Sequence, residues 1–227
     1  MALPRGIMLP MTLTTTRYRK SIKSPKSGVR VLKPGSSNAK LGFRITSKVW
    51  RYKRLYSLTL VERDTCPRSC HHWDDCYGNN MPFAHRFNTE GLMEQLAIEI
   101  PELIEKHPAG IVIRLHVLGD FFSTEYVAFW ERMLTEYPTL SLFGYTAREV
   151  DSDIGKAIYV MNLRYGERCI IRYSRNQSFE TVGQSYAAEE SFTGESFTCP
   201  EQTGKLDSCA DCGLCWTVAK TVRFLSH

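Results

Sequence analysis

Seven of the eight cysteines in this chain of 227 residues fall into two short stretches. Cys66, Cys70 and Cys76 lie within eleven positions, and Cys209, Cys212 and Cys215 within seven, with Cys199 a little upstream. Core packing does not gather thiols this way. Thiolates are soft ligands suited to zinc or iron–sulfur centres, and ligands supplied by tight loops let a metal hold those loops shut. Both stretches are therefore expected to bind metal. A disulfide framework is the rival, but such scaffolds are shorter and space their cysteines more widely.

The rest of the chain bounds the setting. No apolar run approaches the roughly 20 residues of a membrane span, and the opening Met1–Met11 lacks the continuous apolar core and cleavage site of a secretory signal. A cytoplasmic protein with no membrane partner is expected, in a compartment where clustered thiols mean metal or catalysis. Charge is unevenly spread. Residues 1–54 carry fourteen Lys or Arg and no acid, whereas 55–227 carry fifteen against twenty-four Asp or Glu. A basic arm on an acidic body suits nucleic acid as a partner through residues 1–54, or an arm folded back on the body.

Three segments follow: a basic, irregular arm (1–48), a βα core (49–198) and a cysteine-rich C-terminal segment packed on it (199–227). In the arm, Ser24-Pro25-Lys26-Ser27-Gly28 and Lys33-Pro34-Gly35 are turn signals. Trp50, Tyr52 and Tyr56 interleave with cations, as on an edge strand or a base-stacking surface. Strands are expected over 55–61, 111–118, 140–145 and 169–174, with a last short one at 221–225. Helices are expected over 88–107, capped by Asn88 and interrupted by Pro101, then from Ser123 to Tyr137, and from Asp151–Asp153 to Gly166. Regular β-α alternation predicts an α/β fold, a partial (β/α) barrel-like parallel sheet. Ligands of such sheets gather at the carboxyl ends of the strands. The first cysteine loop, Gly119-Asp120 and Arg148 follow successive strands and should share one end.

Three thiolates can hold three irons of a 4Fe–4S cluster and leave the fourth iron open. In this the chain resembles the radical S-adenosylmethionine enzymes, whose cluster loop follows the first strand of a partial βα barrel and whose second strand ends in a glycine-and-acid turn. Cys66, Cys70 and Cys76 take the first place and Gly119-Asp120 the second; the family spaces its cysteines by three then two residues, this chain by three then five. The resemblance implies S-adenosylmethionine as a cofactor, with Gly119, Asp120 and Tyr77 in the cofactor pocket. His116, Asp120 and Arg148 are the candidate catalytic groups, and Arg172 joins Arg148 facing an anionic substrate. Cys199, Cys209, Cys212 and Cys215 make four ligands, a closed site for a second cluster or for zinc; one centre shared between both stretches is the third arrangement. Cys169 alone reads as a buried small hydrophobe.

Thr65-Cys66-Pro67 through Cys76-Tyr77-Gly78, then Arg114 to Phe122, then Cys199-Pro200 and Cys209 to Trp216, together resemble the phage "gene product 88" proteins. That resemblance implies a phage or mobile-element origin. The expected function is a radical-type or redox iron–sulfur enzyme; the alternative is a non-catalytic, metal-stabilised regulator binding nucleic acid or protein.

Overall fold

The computed structural model describes residues 15–174, 186–188, 196–217 and 221–225. The start of the basic arm and most of the polar stretch before Cys199 lie outside them. Ten strands follow in chain order among the described residues: β1 (Ile22–Lys23), β2 (Lys33–Pro34), β3 (Arg54–Ser57), β4 (Arg86–Phe87), β5 (Ile111–Leu115), β6 (Leu140–Thr146), β7 (Cys169–Ser174), β8 (Tyr186–Ala188), β9 (Ser196–Thr198) and β10 (Thr221–Arg223). Among the described residues five α-helices accompany them: α1 (Glu62–Thr65), α2 (Leu92–Lys106), α3 (Thr124–Glu136), α4 (Asp153–Tyr165) and α5 (Cys209–Cys212).

Eight strands form one sheet in the order β2-β3-β5-β6-β7-β8-β10-β9, and all its pairings are parallel except β2 with β3. The sheet is open, with β2 and β9 at its edges, and it does not close into a barrel. The fold is thus mixed α/β with a parallel-rich sheet.

Alternation along the strands sorts the core into two layers. Ile111, Ile113 and Leu115 of β5, with Leu140 and Leu142 of β6, join Leu92, Leu96 and Ile100 of α2 and Phe129, Trp130 and Met133 of α3 in the larger core. Val112 and Phe143, one residue out of phase, face the other way and meet Leu41 and Ile45 of the arm and Ala210 and Trp216 of the C-terminal segment. So α2 and α3 cover one face, together with Val31 and Leu32 of the arm, and Leu41 and Ile45 of the arm with the second cysteine segment cover the other.

Local chemistry explains where elements begin. Ser123 caps α3 by accepting from the Tyr126 N–H at 3.2 Å, and Ser152 caps α4 by accepting from Gly155 at 3.1 Å. Helix α2 departs from expectation. It starts at Leu92 behind Gly91, whose φ of +70° makes the turn, while Asn88 donates its backbone N–H to the Lys23 carbonyl and its Oδ1 accepts no bond among the described residues. Pro101 sits inside α2 without dividing it, and Ile98 is 55% exposed rather than on the apolar side. Strand β5 is shorter than expected because Val117 and Leu118 turn back to exchange backbone bonds with Leu58 and Leu60.

The arm is woven into the body from Thr15 onward. Parallel pairing of β1 with β4, antiparallel pairing of β2 with β3, and the Leu55 N–H to Phe43 carbonyl bond at 2.8 Å hold it. Glu99 of α2, 1% exposed, accepts from the Val31 and Leu32 N–H groups at 2.8 and 2.9 Å. Two of its cations reach the acidic body, Arg30 to Glu102 at 2.8 Å and Lys40 to Glu201 at 3.8 Å. Trp50 and Tyr52 are not on an edge strand; both have positive φ in a tight turn, and Trp50 stacks on Trp216 with centroids 5.2 Å apart.

Candidate metal centre

The first cysteine loop is anchored before it begins. Helix α1 ends at Thr65, whose hydroxyl donates to the Val61 carbonyl at 2.9 Å and accepts from the Asp120 N–H at 3.2 Å. The approach needs Gly119: its φ is +85°, and a Cβ there would lie 2.6 Å from both Leu60 Cβ and Thr65 Oγ1. The loop after β5 can therefore lie directly on the residues that lead into Cys66.

Asp120 is buried and fully engaged. One carboxylate oxygen accepts from the Phe121 N–H and the Thr146 hydroxyl, both at 2.7 Å, and the other from the Ala147 N–H at 2.7 Å. Burial pushes its pKa up to about 6, against the downward pull of those donors and of Arg148. Arg148 donates to the Phe121 carbonyl at 2.8 Å and the Thr65 carbonyl at 2.6 Å. Asp120 and Arg148 thus tie the ends of β5 and β6 to the base of the first cysteine loop. His116, 4% exposed, packs edge-on against Phe121 and meets the Tyr126 hydroxyl through Nε2 at 3.1 Å, while its Nδ1 has no partner among the described residues. Burial, with Arg114 nearby, lowers its pKa to about 3, so the imidazole is neutral.

All eight cysteines are free thiols. Those of the first loop are electrostatic neighbours. Burial, then Asp120, Cys70, Cys76 and Glu62, raise the Cys66 thiol well above its ordinary range. Burial raises Cys70 and Cys76 also, while Arg63 opposes the rise at both. Tyr77 is half-exposed along its body, yet burial pushes its phenol to about 12, with Arg114 pulling down and Cys76 and Cys66 pushing up. His71 and His72 are exposed, and His72 pairs with Asp75 at 3.1 Å.

The second group lies on the sheet face away from the helices. Cys209 and Ala210 donate backbone N–H groups to the Lys40 and Leu41 carbonyls at 2.8 and 2.9 Å, and Thr46 donates back to Ala210. Cys199 is tied to β10 through the Arg223 carbonyl at 2.9 Å. Burial pushes Cys209 to about 12, with Cys215, Cys199 and Cys212 adding to the rise and Arg114 opposing it. Cys215 is raised by burial and Cys199, while Tyr145, Arg172 and Arg114 counteract. Arg172, 1% exposed, donates Nε to the Cys215 carbonyl at 2.9 Å. The Arg114 charge acts on Tyr77, Cys209 and Cys215, and its guanidinium lies 4.4 Å from the Tyr145 ring centroid. Cys169 is apart from both, buried in the helix-side core.

Within each stretch the thiols act electrostatically on one another. Among the described residues no three His, Cys, Asp or Glu side chains form a group able to hold a metal ion as they stand. The donor set nonetheless has the chemistry of a centre: soft, free, desolvated thiols whose ionisation is costly unless a cation sits among them.

Several functional groups gave no sign in the sequence. The largest is the buried pair of Glu62 and Arg86 at 2.9 Å. Arg86 also donates to Ser21 Oγ and to the Met81, Ala84 and Gly78 carbonyls between 2.8 and 3.0 Å. One guanidinium so folds the chain that follows Cys76. Only contact across 24 positions reveals it, since neither residue lies in a motif.

The fold and site define a thiol-rich α/β protein on an open, parallel-rich sheet, with two cysteine groups held by loops around it. The family profile described as "Gene product 88" matches residues 32–218, and the chain belongs to that family. It is 24% identical over 157 residues to the "Gene 88 protein" of Mycobacterium phage L5, covering 60% of this chain and 64% of that one. It is likewise 24% identical over 153 residues to the "Gene 88 protein" of Mycobacterium phage D29, with the same coverage. The match thus spans under two thirds of these relatives' length. No solved structure matches the chain. No helix among the described residues is long and apolar enough to cross a membrane.

Proposed function

We propose that the protein is an iron–sulfur enzyme of redox or radical-forming type, acting on an anionic or nucleic-acid-related substrate. The observation that carries this is the placing of Cys66, Cys70 and Cys76. They are three free, half-buried, mutually coupled thiols on a loop pinned to the ends of β5 and β6. In this reading the run β3-β5-β6-β7, with its helices on one face, serves as a partial barrel whose carboxyl ends hold the site. Cys66, Cys70 and Cys76 would hold a 4Fe–4S cluster with one iron lacking a protein ligand, and such a cluster supplies one-electron chemistry to a bound S-adenosylmethionine.

The chain's own residues supply position and charge. Thr65, Asp120 and Arg148 fix where the loop starts. Tyr77 and Arg114 sit beside the thiols, and Arg114 offers a cation for an anionic substrate. His116, neutral and buried beside Phe121, keeps one ring nitrogen, Nδ1, without a partner among the described residues. Cys199, Cys209, Cys212 and Cys215 would close a second centre, of iron–sulfur or zinc, that holds the arm and the sheet together.

The test is anaerobic reduction in the presence of S-adenosylmethionine. Cleavage of the sulfonium and a shift of the cluster's visible and paramagnetic spectra are expected, both lost in Cys70→Ala. An iron-loaded protein whose spectra ignore S-adenosylmethionine rules out the radical form and leaves a redox role.

One observation favours a second reading, a regulator that binds nucleic acid. Tyr52 is 53% exposed, with the Arg44 and Arg51 guanidiniums 5.7 and 5.1 Å from its ring centroid. Stacked bases and phosphates suit such a surface. A salt-dependent affinity for single-stranded oligonucleotide that drops in Tyr52→Ala supports it.

A further inference from the structure

Two hydrogen-bond donors beside the first cysteine loop are buried without an acceptor among the described residues: Nη2 of Arg63 and Nε1 of Trp73. Both residues are 7% exposed. They form one unit, because the Arg63 guanidinium lies 4.8 Å from the Trp73 ring centroid and its Nη1 donates to the Trp73 carbonyl. Arg63 belongs to α1, which runs straight into Cys66, and Trp73 lies between Cys70 and Cys76.

An unmade bond at a buried donor costs about 1–3 kcal/mol, and native structures leave few such groups. Two in one place, both donors and one of them cationic, call for an acceptor that is anionic or electron-rich. The nearby groups of that kind are the thiols of Cys70 and Cys76, on both of which the Arg63 charge acts. Arg63 is otherwise an odd resident, since among the described residues its guanidinium is paired to a ring and a carbonyl and to no carboxylate.

We propose that Arg63 and Trp73 are positioning residues for the centre held by Cys66, Cys70 and Cys76, donating N–H bonds to its sulfur atoms and raising its reduction potential. This rests on the first thiol group holding an iron–sulfur centre. Hydrogen bonds to cluster sulfurs, and a nearby cation, stabilise the reduced and more negative state, which moves the potential upward. Trp73 also roofs the loop, and the exposed Arg68 guanidinium lies 4.9 Å from the same ring.

The experiment uses the full chain purified anaerobically as wild type, Arg63→Lys and Trp73→Phe. Lysine keeps the charge and loses the fork; phenylalanine keeps a ring and loses the N–H. Iron and sulfide per chain, thermal midpoint and the reduction potential from a dye-mediated titration are measured, with the signal absent from Cys70→Ser marking the first centre. Both variants should keep the wild-type iron content, and both potentials should move negative, with Trp73→Phe unchanged in thermal midpoint. Iron-loaded variants at the wild-type potential overturn the proposal while leaving the cluster reading intact. A wild-type chain that takes up no iron overturns both.

Discussion

The two cysteine groups are built differently, although each contributes thiols to the same molecule. The first is a surface loop fixed at its ends: Thr65, Asp120 and Arg148 clamp its entry, and the Glu62–Arg86 pair holds its exit. Its neighbours include two buried acids, Glu62 and Asp120. The second is stitched by main-chain bonds to the arm and to β10, and its neighbours are Arg114, Arg172 and Tyr145. Between end-clamping and stitching lies the difference between a loop that can change its ligand and a segment that cannot move without the sheet. On the reading proposed above, the first would carry the chemistry and the second would hold the fold.

Breaking the first loop's exit should have the largest effect. Arg86→Ala leaves Glu62 buried without its partner and four acceptors without a donor, and should cost roughly 3–5 kcal/mol in urea unfolding. Joint replacement with Glu62→Gln and Arg86→Met should recover part of that loss. Next comes the contrast between the groups themselves. Cys212→Ser should lower the thermal midpoint by roughly 4–8 °C, as a loss of about 2 kcal/mol does in a chain of this size. Cys70→Ser should remove bound metal with a smaller change in melting. Equal losses from both would erase the distinction.

Glu99→Ala tests whether the arm is stitched independently of the thiols. It removes the acceptor for the Val31 and Leu32 N–H groups and should cost about 1–2 kcal/mol, with faster hydrogen exchange at those two amides. The last effect is absent at neutral pH and shows only as acid sensitivity. His116 is held neutral with a pKa near 3, below its value in the unfolded chain. Its contribution is intact above the unfolded pKa near 6.5 and is lost as pH falls from there toward 3, because the unfolded chain takes up the proton first. The slope is at most about 1.4 kcal/mol per pH unit. His116→Phe should flatten the stability profile in that window.

How much of this could be read in the sequence follows from the range of the interactions. Strand β7 and the capped starts of α3 and α4 are set by local pattern, and they match the sequence's expectation. The start of α2 does not, because Asn88 is held by a backbone bond to Lys23, 65 positions away, its Oδ1 caps nothing, and the helix turns in behind Gly91 instead. Gly119-Asp120 was legible as a strand-end turn, but its use as a staple to Thr65, Thr146 and Ala147 was not, since each partner lies on another element. Clustering of the thiols was visible from spacing alone. That the second stretch packs on the sheet face away from α2 and α3 was not, because it depends on Val112 and Phe143 facing Ala210 and Trp216. The basic arm's charge was plain, yet its docking runs through Glu99, an acid hidden among the apolar residues of α2.

Iron and acid-labile sulfide, measured on anaerobically purified protein beside its visible spectrum, test the central claim most directly. A brown protein carrying both, with iron falling in Cys70→Ser and in Cys212→Ser, is the predicted result. A colourless protein without iron or sulfide, in which a thiol reagent finds the cysteines of both groups free, would contradict it.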